Sequence, residues 1–517
     1  MAWERRFAAL LRRPQAAFWI GSAFLLAGLL AAKLPVLAAQ PAPPGADPGN
    51  WLAMAEAAAG QLTRLTDWAY PPLSYLLLRA LLFLFSPLAA ISIFGLAAWW
   101  AMGAALWYVL LRSLPRLPVL VKMGLAALFL FAGFNGEVFS WGGYPQLLGM
   151  GFLIVAVPAL EGALLTGDRR SGAAAAAASV GVIFTHHLIA AALPLFWVIV
   201  FAWVTFQHRA LFRVFWARFW RMGAATTAVS LLALPVYLHY LSLLAGVPTN
   251  SNGYSLSTLP QMLGYSFRGL TPLWLALFFL ALAAPFLASR SRLSGSVLAF
   301  TWGTAVLIGL TWEVRFMHIL FLGMVMGVGI LFERAWVHPS YEARIGYGRR
   351  LGLAACLALS LAAVAGQGQS QFVQSVSYYQ IVDRPVADGI GWLASHSAPG
   401  DRVVAYQAHL NHLNWWIEAL ARRPSFSPTD PRWLSFSRER YYTSVAAEIT
   451  NPGTAPAQVS ALLSTNRVAW VFIDQRNQAG LLNRLLRSGA LVSAYENPAV
   501  VILRVEKTGG GAAGSGM

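Results

Sequence analysis

One cysteine, Cys356, stands alone in an apolar run, so no disulfide can form within the chain and no disulfide framework holds it. Charge is nearly as scarce: 11% of the 517 residues are Asp, Glu, Lys or Arg, with three lysines against 34 arginines. An ordinary soluble domain carries about 25% charged residues, so this scarcity excludes a chain bathed in water on all sides. Apolar residues fill the space, at 58% of the sequence, and the mean hydropathy is +0.58. That is the composition of a polytopic membrane protein. The net charge of +17 does not point to nucleic acid. Residues 380–507 hold 13 Lys and Arg against 10 Asp and Glu, a surplus of three, and the other fourteen charges sit in short loops between apolar runs. Basic loops beside membrane spans set orientation, and no nucleic-acid partner is expected.

The N-terminal stretch "MAWERRFAALLRRPQ" places four arginines before an apolar run that continues past Lys33 through "LPVLAA". The run outlasts the 7–15 apolar residues of a signal peptide, which predicts an uncleaved anchor. Segments long enough to span lie near 15–39, 88–111, 117–134, 147–166, 172–189, 190–207, 223–246, 269–289, 295–311, 316–334 and 351–368. Residues 71–87, "PPLSYLLLRALLFLFSP", are short, bounded by prolines and interrupted by Arg79. If 71–87 spans, the loops carrying Arg112, Arg116, Arg169, Arg170, Arg209, Arg213, Arg218, Arg221, Arg290 and Arg292 all fall outside. If it lies in the interface, all of them fall inside, as basic loops prefer. The expectation is therefore about 11 transmembrane helices plus interfacial helices, a cytoplasmic N-terminus, and a small C-terminal extracytoplasmic α/β domain.

This topology gathers the remaining polar residues on one membrane face. There lie Asp47, Glu56 and Asp67, the stretch "NGEVFSWGGYPQ" (135–146), the pair His186-His187, residues 249–269 and "TWEVR" (311–315). Ionisable groups at membrane depth cost at least ~2.5–3.5 kcal/mol, so each is a functional candidate. Asp47 suits a general base that removes a hydroxyl proton, and equally a helix N-cap for a helix starting near Gly49. Glu56, nine residues on, points to the opposite face of that helix. Glu137 and Tyr144 flank the Gly142-Gly143 turn, where amides and an aromatic ring suit an anion and a sugar; an interfacial aromatic belt is the plainer reading. Adjacent histidines point apart on a helix, so one of His186 and His187 could bind a phosphate, or a metal with an outer carboxylate, while the other caps the helix C-terminus; a purely structural role is the plainer reading. Arg315 offers a planar fork for a lipid phosphate, with Glu313 beside it. Helix-end interfacial residues are the plainer reading of both.

Beyond residue 380 the chain reads as soluble. "DRVVAY" (401–406) and "VAWVFID" (468–474) are strands, "NHLNWWIEALARRP" (411–424) and "AGLLNRLLRSG" (479–489) are helices, and a hairpin turns at Asn497-Pro498. The expected division is a membrane domain at 1–370 with a first outer loop at 40–87, an α/β domain at 371–507 and a disordered tail at 508–517.

The layout resembles the GT-C class of integral-membrane glycosyltransferases. "ADPGNW" looks like the first-loop acid motif of that class, and "YPPLSYLLLRALLFLF", opening at Tyr70, is similar to its juxtamembrane helix. "GGYPQLLGMGFLIVAVPALEGAL", "THHLIAAALPLF" and "EVRFMHILFLGMVMGVGIL" resemble later segments of bacterial and archaeal members. The resemblance implies an inverting transferase that moves a sugar from a polyprenyl-phosphate donor to an acceptor hydroxyl on a glycan, lipid or protein. Its catalytic acid would be Asp47 and its phosphate-binding arginine Arg315, with His186, Glu137, Tyr144, Glu313 and Tyr70 around the substrates. The class's paired acids are not evident in this first loop. A divalent metal is therefore left open, with Asp47 and His187 as weak candidate ligands and no cofactor certain. The alternatives are a lipid or glycan transporter, for which the mid-span residues are nearly all apolar with Glu161 near the inner end as a weak exception, and a partner-binding membrane protein.

Overall fold

The computed structural model describes residues 13–65, 70–244, 272–289, 291–311, 314–337, 343–407, 412–428, 437–476 and 479–506. Each of the eleven apolar segments carries a helix. Among the described residues seven helices are long and apolar enough to cross a membrane: Pro14–Ala38 (α1), Pro87–Ser113, Tyr144–Thr166, His187–Gln207, Arg209–His239, Ser294–Thr311 and Met317–Trp336. The pair Val119–Leu130 and Gly133–Trp141, bent by 43°, makes an eighth if it is one broken span. The chain is a multi-pass membrane protein. Its 37-residue helix Ala343–Tyr379 leads directly into the C-terminal α/β unit.

Two helices lie between the first two spans. Asp47–Ala58 (α2) is twelve residues long, and Leu73–Leu82 (α3) is ten. At 1.5 Å per residue α3 is about 15 Å long, half of what a bilayer core requires. It buries Ser74 and Leu78 and exposes Leu76 and Leu77, with Phe83, Leu84 and Phe85 exposed just after it. That is the pattern of a helix lying in the interface. Arg79 donates to the Ala58 carbonyl at 2.6 Å, closing the C-terminus of α2. The arginine that would be costly within a span is here a cap.

The small-residue segment near 172–179 forms part of Arg169–Thr185, whose Ala175, Ala178 and Ser179 are buried. A side chain at Gly181 would run into the Phe152 ring at 2.6 Å, so this helix approaches Tyr144–Thr166 closely. The buried acid Glu161 accepts from the Gly295 and Ser296 amides at 2.8 Å each and from the Ser296 hydroxyl at 2.6 Å. It therefore caps the N-terminus of Ser294–Thr311 from another helix. Glu161→Ala is expected to cost about 1–3 kcal/mol, because two amides lose their acceptor, and Glu161→Gln less. Thermal unfolding in detergent would measure both.

The C-terminal unit is a five-stranded sheet of order β2-β1-β3-β5-β4, with β1 Arg402–Tyr406, β2 Ser425–Phe426, β3 Val468–Asp474, β4 Leu491–Glu496 and β5 Val500–Val505. Strands β1, β2 and β3 run parallel, and β5 and β4 close the sheet antiparallel. Alternation sorts the strand residues onto two cores. Val404, Val471 and Ile473 face Ile449 and Leu463, while Val403, Ala405 and Phe472 face Ile390, Leu393 and Trp416. The second core contains Ala42, so it reaches the segment that leads into α2.

Helix Leu413–Ala421 of this unit packs on α2. The Trp416 indole donates to the Gly45 carbonyl at 2.8 Å, and a side chain at Gly49 would sit 3.0 Å from the Trp416 ring. Two ion pairs join the same partners: Arg422 with the buried Glu56 at 3.0 Å, and Arg64 with Glu418 at 2.9 Å. Glu56 thus turns away from Asp47 toward the α/β unit.

Candidate functional site

Asp47 is in the first turn of α2 and is not its cap. The N-cap position belongs to Ala46, no side chain caps the helix, and Pro48 follows with its fixed φ. The expected start near Gly49 is two residues late. The chain before α2 is fixed at Gly45, whose φ of +96° only glycine adopts readily. Its amide donates to the Tyr379 carbonyl at 2.9 Å, and its carbonyl accepts from Trp416. One turn on, the Trp51 indole donates to the Gly142 carbonyl at 2.7 Å.

Gly142 is the second special position. The stretch 135–146 is not a loop: Gly133–Trp141 is a helix, ended by Gly142 at φ +97°, and Tyr144 starts the next helix. Apolar residues between its polar ones are enough to complete the bent span, which explains the difference from the expected loop. A Cβ at Gly142 would lie 2.8 Å from the Asp47 Cβ. Asp47 therefore sits directly against this two-glycine turn.

Arg315 comes from far along the chain, on the single turn Val314–Phe316, and is half-buried. Its charge acts on Asp47, on His186 and on His318. Burial pushes the Asp47 carboxyl up to about 7, and Arg315 works against that rise. Tyr144 is fully buried, with its ring against Phe139 at 4.9 Å and Phe94 at 6.3 Å. Its faces are taken by protein, and its hydroxyl stands in the field of Asp47. Half-buried Glu137 accepts from the Tyr379 hydroxyl at 3.4 Å. Tyr379 thus ties Glu137 to Gly45 and so to the Asp47 turn.

The two histidines do not point apart. The helix ends at Thr185 and a new one starts at His187, with His186 between them in extended backbone (φ −151°, ψ 117°). The imidazoles consequently stack, with centroids 5.1 Å apart and planes 10° from parallel. Tyr70 packs edge-on to both, at 6.0 Å from His186 and 5.3 Å from His187, and lies 4.5 Å from Trp51. His186 also accepts from the Ile189 amide at 3.4 Å, as an N-cap. Asp67, Glu313 and the segment 249–269 lie outside the described residues.

Sequence reasoning missed Trp51, Tyr379, Trp416 and His318. His318 follows Arg315 by three residues, which is one helical turn, and packs edge-on to Phe134 at 4.9 Å; that spacing was its only signal. Among the described residues no group of three or more His, Cys, Asp or Glu is placed to hold a metal. The donors present around Asp47 and His187 do not make a metal site by themselves.

The other ends of the helices are held by different chemistry. The Arg116 amide donates to Glu333 at 2.9 Å, and Arg218 donates to the Leu164 carbonyl. The acid site and the arginine-rich loops thus occupy opposite faces of the bundle.

No protein-family model and no curated protein matches the sequence. Solved structures do. ArnT from Cupriavidus metallidurans bound to undecaprenyl phosphate superposes with a TM-score of 0.57 at 16% identity, over 95% of this chain and 98% of that one. Its apo state gives 0.58. The chain has the fold of the GT-C membrane glycosyltransferases. The apo oligosaccharyltransferase of Archaeoglobus fulgidus shares it at a TM-score of 0.52 and 13% identity, over 96% of this chain and 75% of that one. The oligosaccharyltransferase is also known in complex with Zn and sulfate, and that structure matches with a TM-score of 0.50.

Proposed function

We propose that this GT-C-fold protein is an inverting glycosyltransferase that uses a polyprenyl-phosphate sugar and an acceptor hydroxyl at the outer membrane face. The observation that carries the proposal is that Arg315's charge acts on Asp47, which sits against the Gly142–Gly143 turn, in a fold shared end to end with a protein that binds undecaprenyl phosphate. A base and a cation from distant segments at one place suit a reaction in which a proton leaves and an anion departs.

In the proposed step, ionised Asp47 takes the acceptor's hydroxyl proton. The acceptor oxygen forms a bond to the anomeric carbon from the face opposite the phosphate. The bond from that carbon to the phosphate oxygen breaks, and the polyprenyl phosphate leaves with the electron pair. Arg315 neutralises the leaving phosphate with its planar fork, and His186 adds a second donor. A carboxyl held up near 7 is well matched to this work, since it is half ionised at neutral pH and strong enough to hold the proton it receives. Glu137, through Tyr379, fixes the Asp47 turn. Tyr70 and Trp51 offer rings beside it, and the Tyr144 hydroxyl is a polar neighbour of the carboxylate. Glu313 remains a candidate next to Arg315. Zn is named with a structural neighbour, but the described residues around Asp47 and His187 do not form a metal-binding set, so no step is routed through a metal. The face assignment follows from the arginine-rich loops at the opposite helix ends. The Gly45–Trp416 and Glu56–Arg422 contacts make the α/β unit part of the wall, suited to choosing the acceptor.

A transporter would need polar groups along a through-path. The buried acid Glu161, near the inner end of its span, is committed to capping a helix, which removes the weak pointer that way. A partner-binding protein has no need of Arg315's charge acting on Asp47 beside a turn that Glu137 braces through Tyr379.

The test is binding of a short-chain polyprenyl phosphate to the full-length protein in nanodiscs. Arg315→Ala is expected to weaken binding by about 10–100-fold, as loss of a charge-assisted bidentate contact costs about 1.5–3 kcal/mol. Asp47→Asn should leave it within a few-fold. Failure of the wild-type protein to bind, or equal binding by Arg315→Ala, would sink the proposal.

A further inference from the structure

A second polar site lies away from Asp47 and Arg315, between the first span and the long helix Ala343–Tyr379. A cleft of about 520 Å³ opens there, lined by Gly28, Ala31, Ala32, Lys33, Phe131 and Gln369, among others. It shares no lining residue with the site above. Lys33 is 2% exposed. Its ammonium donates to Gln369 Oε1 at 3.0 Å and faces the rings of Phe372 at 4.5 Å and Trp99 at 5.5 Å. Gln369 is itself oriented, because its amide donates to the Ala32 carbonyl at 2.8 Å. No carboxylate among the described residues pairs with Lys33.

Lys33 lies five residues before the end of α1, and Gln369 ten residues before Tyr379, whose carbonyl holds Gly45. At 1.5 Å per residue both are roughly 8–15 Å below the level of the Asp47 turn. Lys33 therefore lies in the last third of the first span, toward the end that leads to the Asp47 turn. A buried cation at this depth is costly without a counter-charge. The rest of the lining is apolar, with Gly28, Ala31 and Ala32 keeping the cleft open along the first span.

We propose that this cleft binds the phosphate headgroup of an anionic membrane lipid, with Lys33 as its counter-ion and Gln369 holding the ammonium in position. The bound lipid supplies the negative charge that the described residues do not. It sits between the first span and the helix that carries the α/β unit, and so braces the two.

Native mass spectrometry of the full-length protein in neutral detergent tests this, with dioleoyl phosphatidylglycerol or dioleoyl phosphatidylcholine added at equal concentration. The wild-type protein should retain phosphatidylglycerol in preference to phosphatidylcholine. Lys33→Gln should weaken that binding by about tenfold or more. Gln369→Glu should do the same, because it places a carboxylate on the ammonium, and it decides the matter if Lys33→Gln fails to fold. Arg315→Ala should leave it unchanged. Equal retention of phosphatidylglycerol by Lys33→Gln or Gln369→Glu overturns the proposal, as does equal retention of the two lipids by the wild-type protein. Loss with Arg315→Ala alone assigns the anion to the Asp47 site and overturns it too. Free glycerol phosphate binding as tightly as the lipid, with the same dependence on Lys33, would make this a site for soluble phosphate and not for a lipid.

Discussion

Asp47→Asn is expected to lower glycosyl transfer by about 10²–10⁴-fold, the usual contribution of a positioned base, while making the protein more resistant to heat at pH 8. The two effects have one cause. Burial raises the Asp47 carboxyl to about 7 from an ordinary value of 3.8. The folded state therefore holds this proton more tightly than the unfolded chain does. Below about pH 3.8 both states are protonated and Asp47 costs nothing. As pH rises from there through about 7, the unfolded chain ionises freely and the folded protein does so against its burial, so stability falls. Asparagine has the carboxylic acid's shape without the ionisation. The variant's melting temperature should match the wild type's near pH 4 and exceed it above pH 7. Transfer by the wild-type protein should run the other way, rising with pH through about 7 to a plateau, because the base works only when ionised. Assays of kcat/KM between pH 5.5 and 8.5, with melting curves over the same range, check both. A variant that keeps wild-type transfer, or a wild-type profile flat across pH 7, would remove Asp47 from the chemistry.

Glu418→Ala should be the most destabilising change at the junction of the two parts. Glu418 and Arg64 are almost wholly buried, with side-chain exposures of 0% and 3%. Removing one partner leaves an uncompensated buried charge, which costs about 3–5 kcal/mol. The exposed end of the neighbouring pair, Arg422, at 47%, should matter far less. The loss is expected at the contact between α2 and Leu413–Ala421, so limited proteolysis near residues 60–65 should speed up in Glu418→Ala and not in Arg422→Ala. Transfer should fall with it, since Trp416 on the same helix holds Gly45. If Glu418→Ala melts like the wild type and resists protease equally, the α/β unit is held by its other contacts, and the pair does not position the acid.

The membrane class, the eleven apolar helical segments and the short interfacial helix after Tyr70 are legible in the sequence alone. Those features follow from local quantities: the length of an apolar run, the reach of 1.5 Å per residue, and the side on which arginines gather. The strands at 402–406 and 468–474 were legible for the same reason, as short β-branched runs between turns. The acid at Asp47 and the cation at Arg315 could also be singled out, because an ionisable group beside a membrane span is conspicuous. What joins them could not. Only the fold brings Gly142 onto Asp47, carries Arg315's charge to it, and ties the turn to Tyr379 and Trp416. The helix at 133–141 was hidden by its polar residues, and the stacked His186 and His187 by a helix break that periodicity does not reveal. Glu161 stands out in the sequence only as an acid near the inner end of a span, and its partners are amides more than 130 residues away. Pairings of that range depend on how separate helices pack, and no local pattern of residues encodes them.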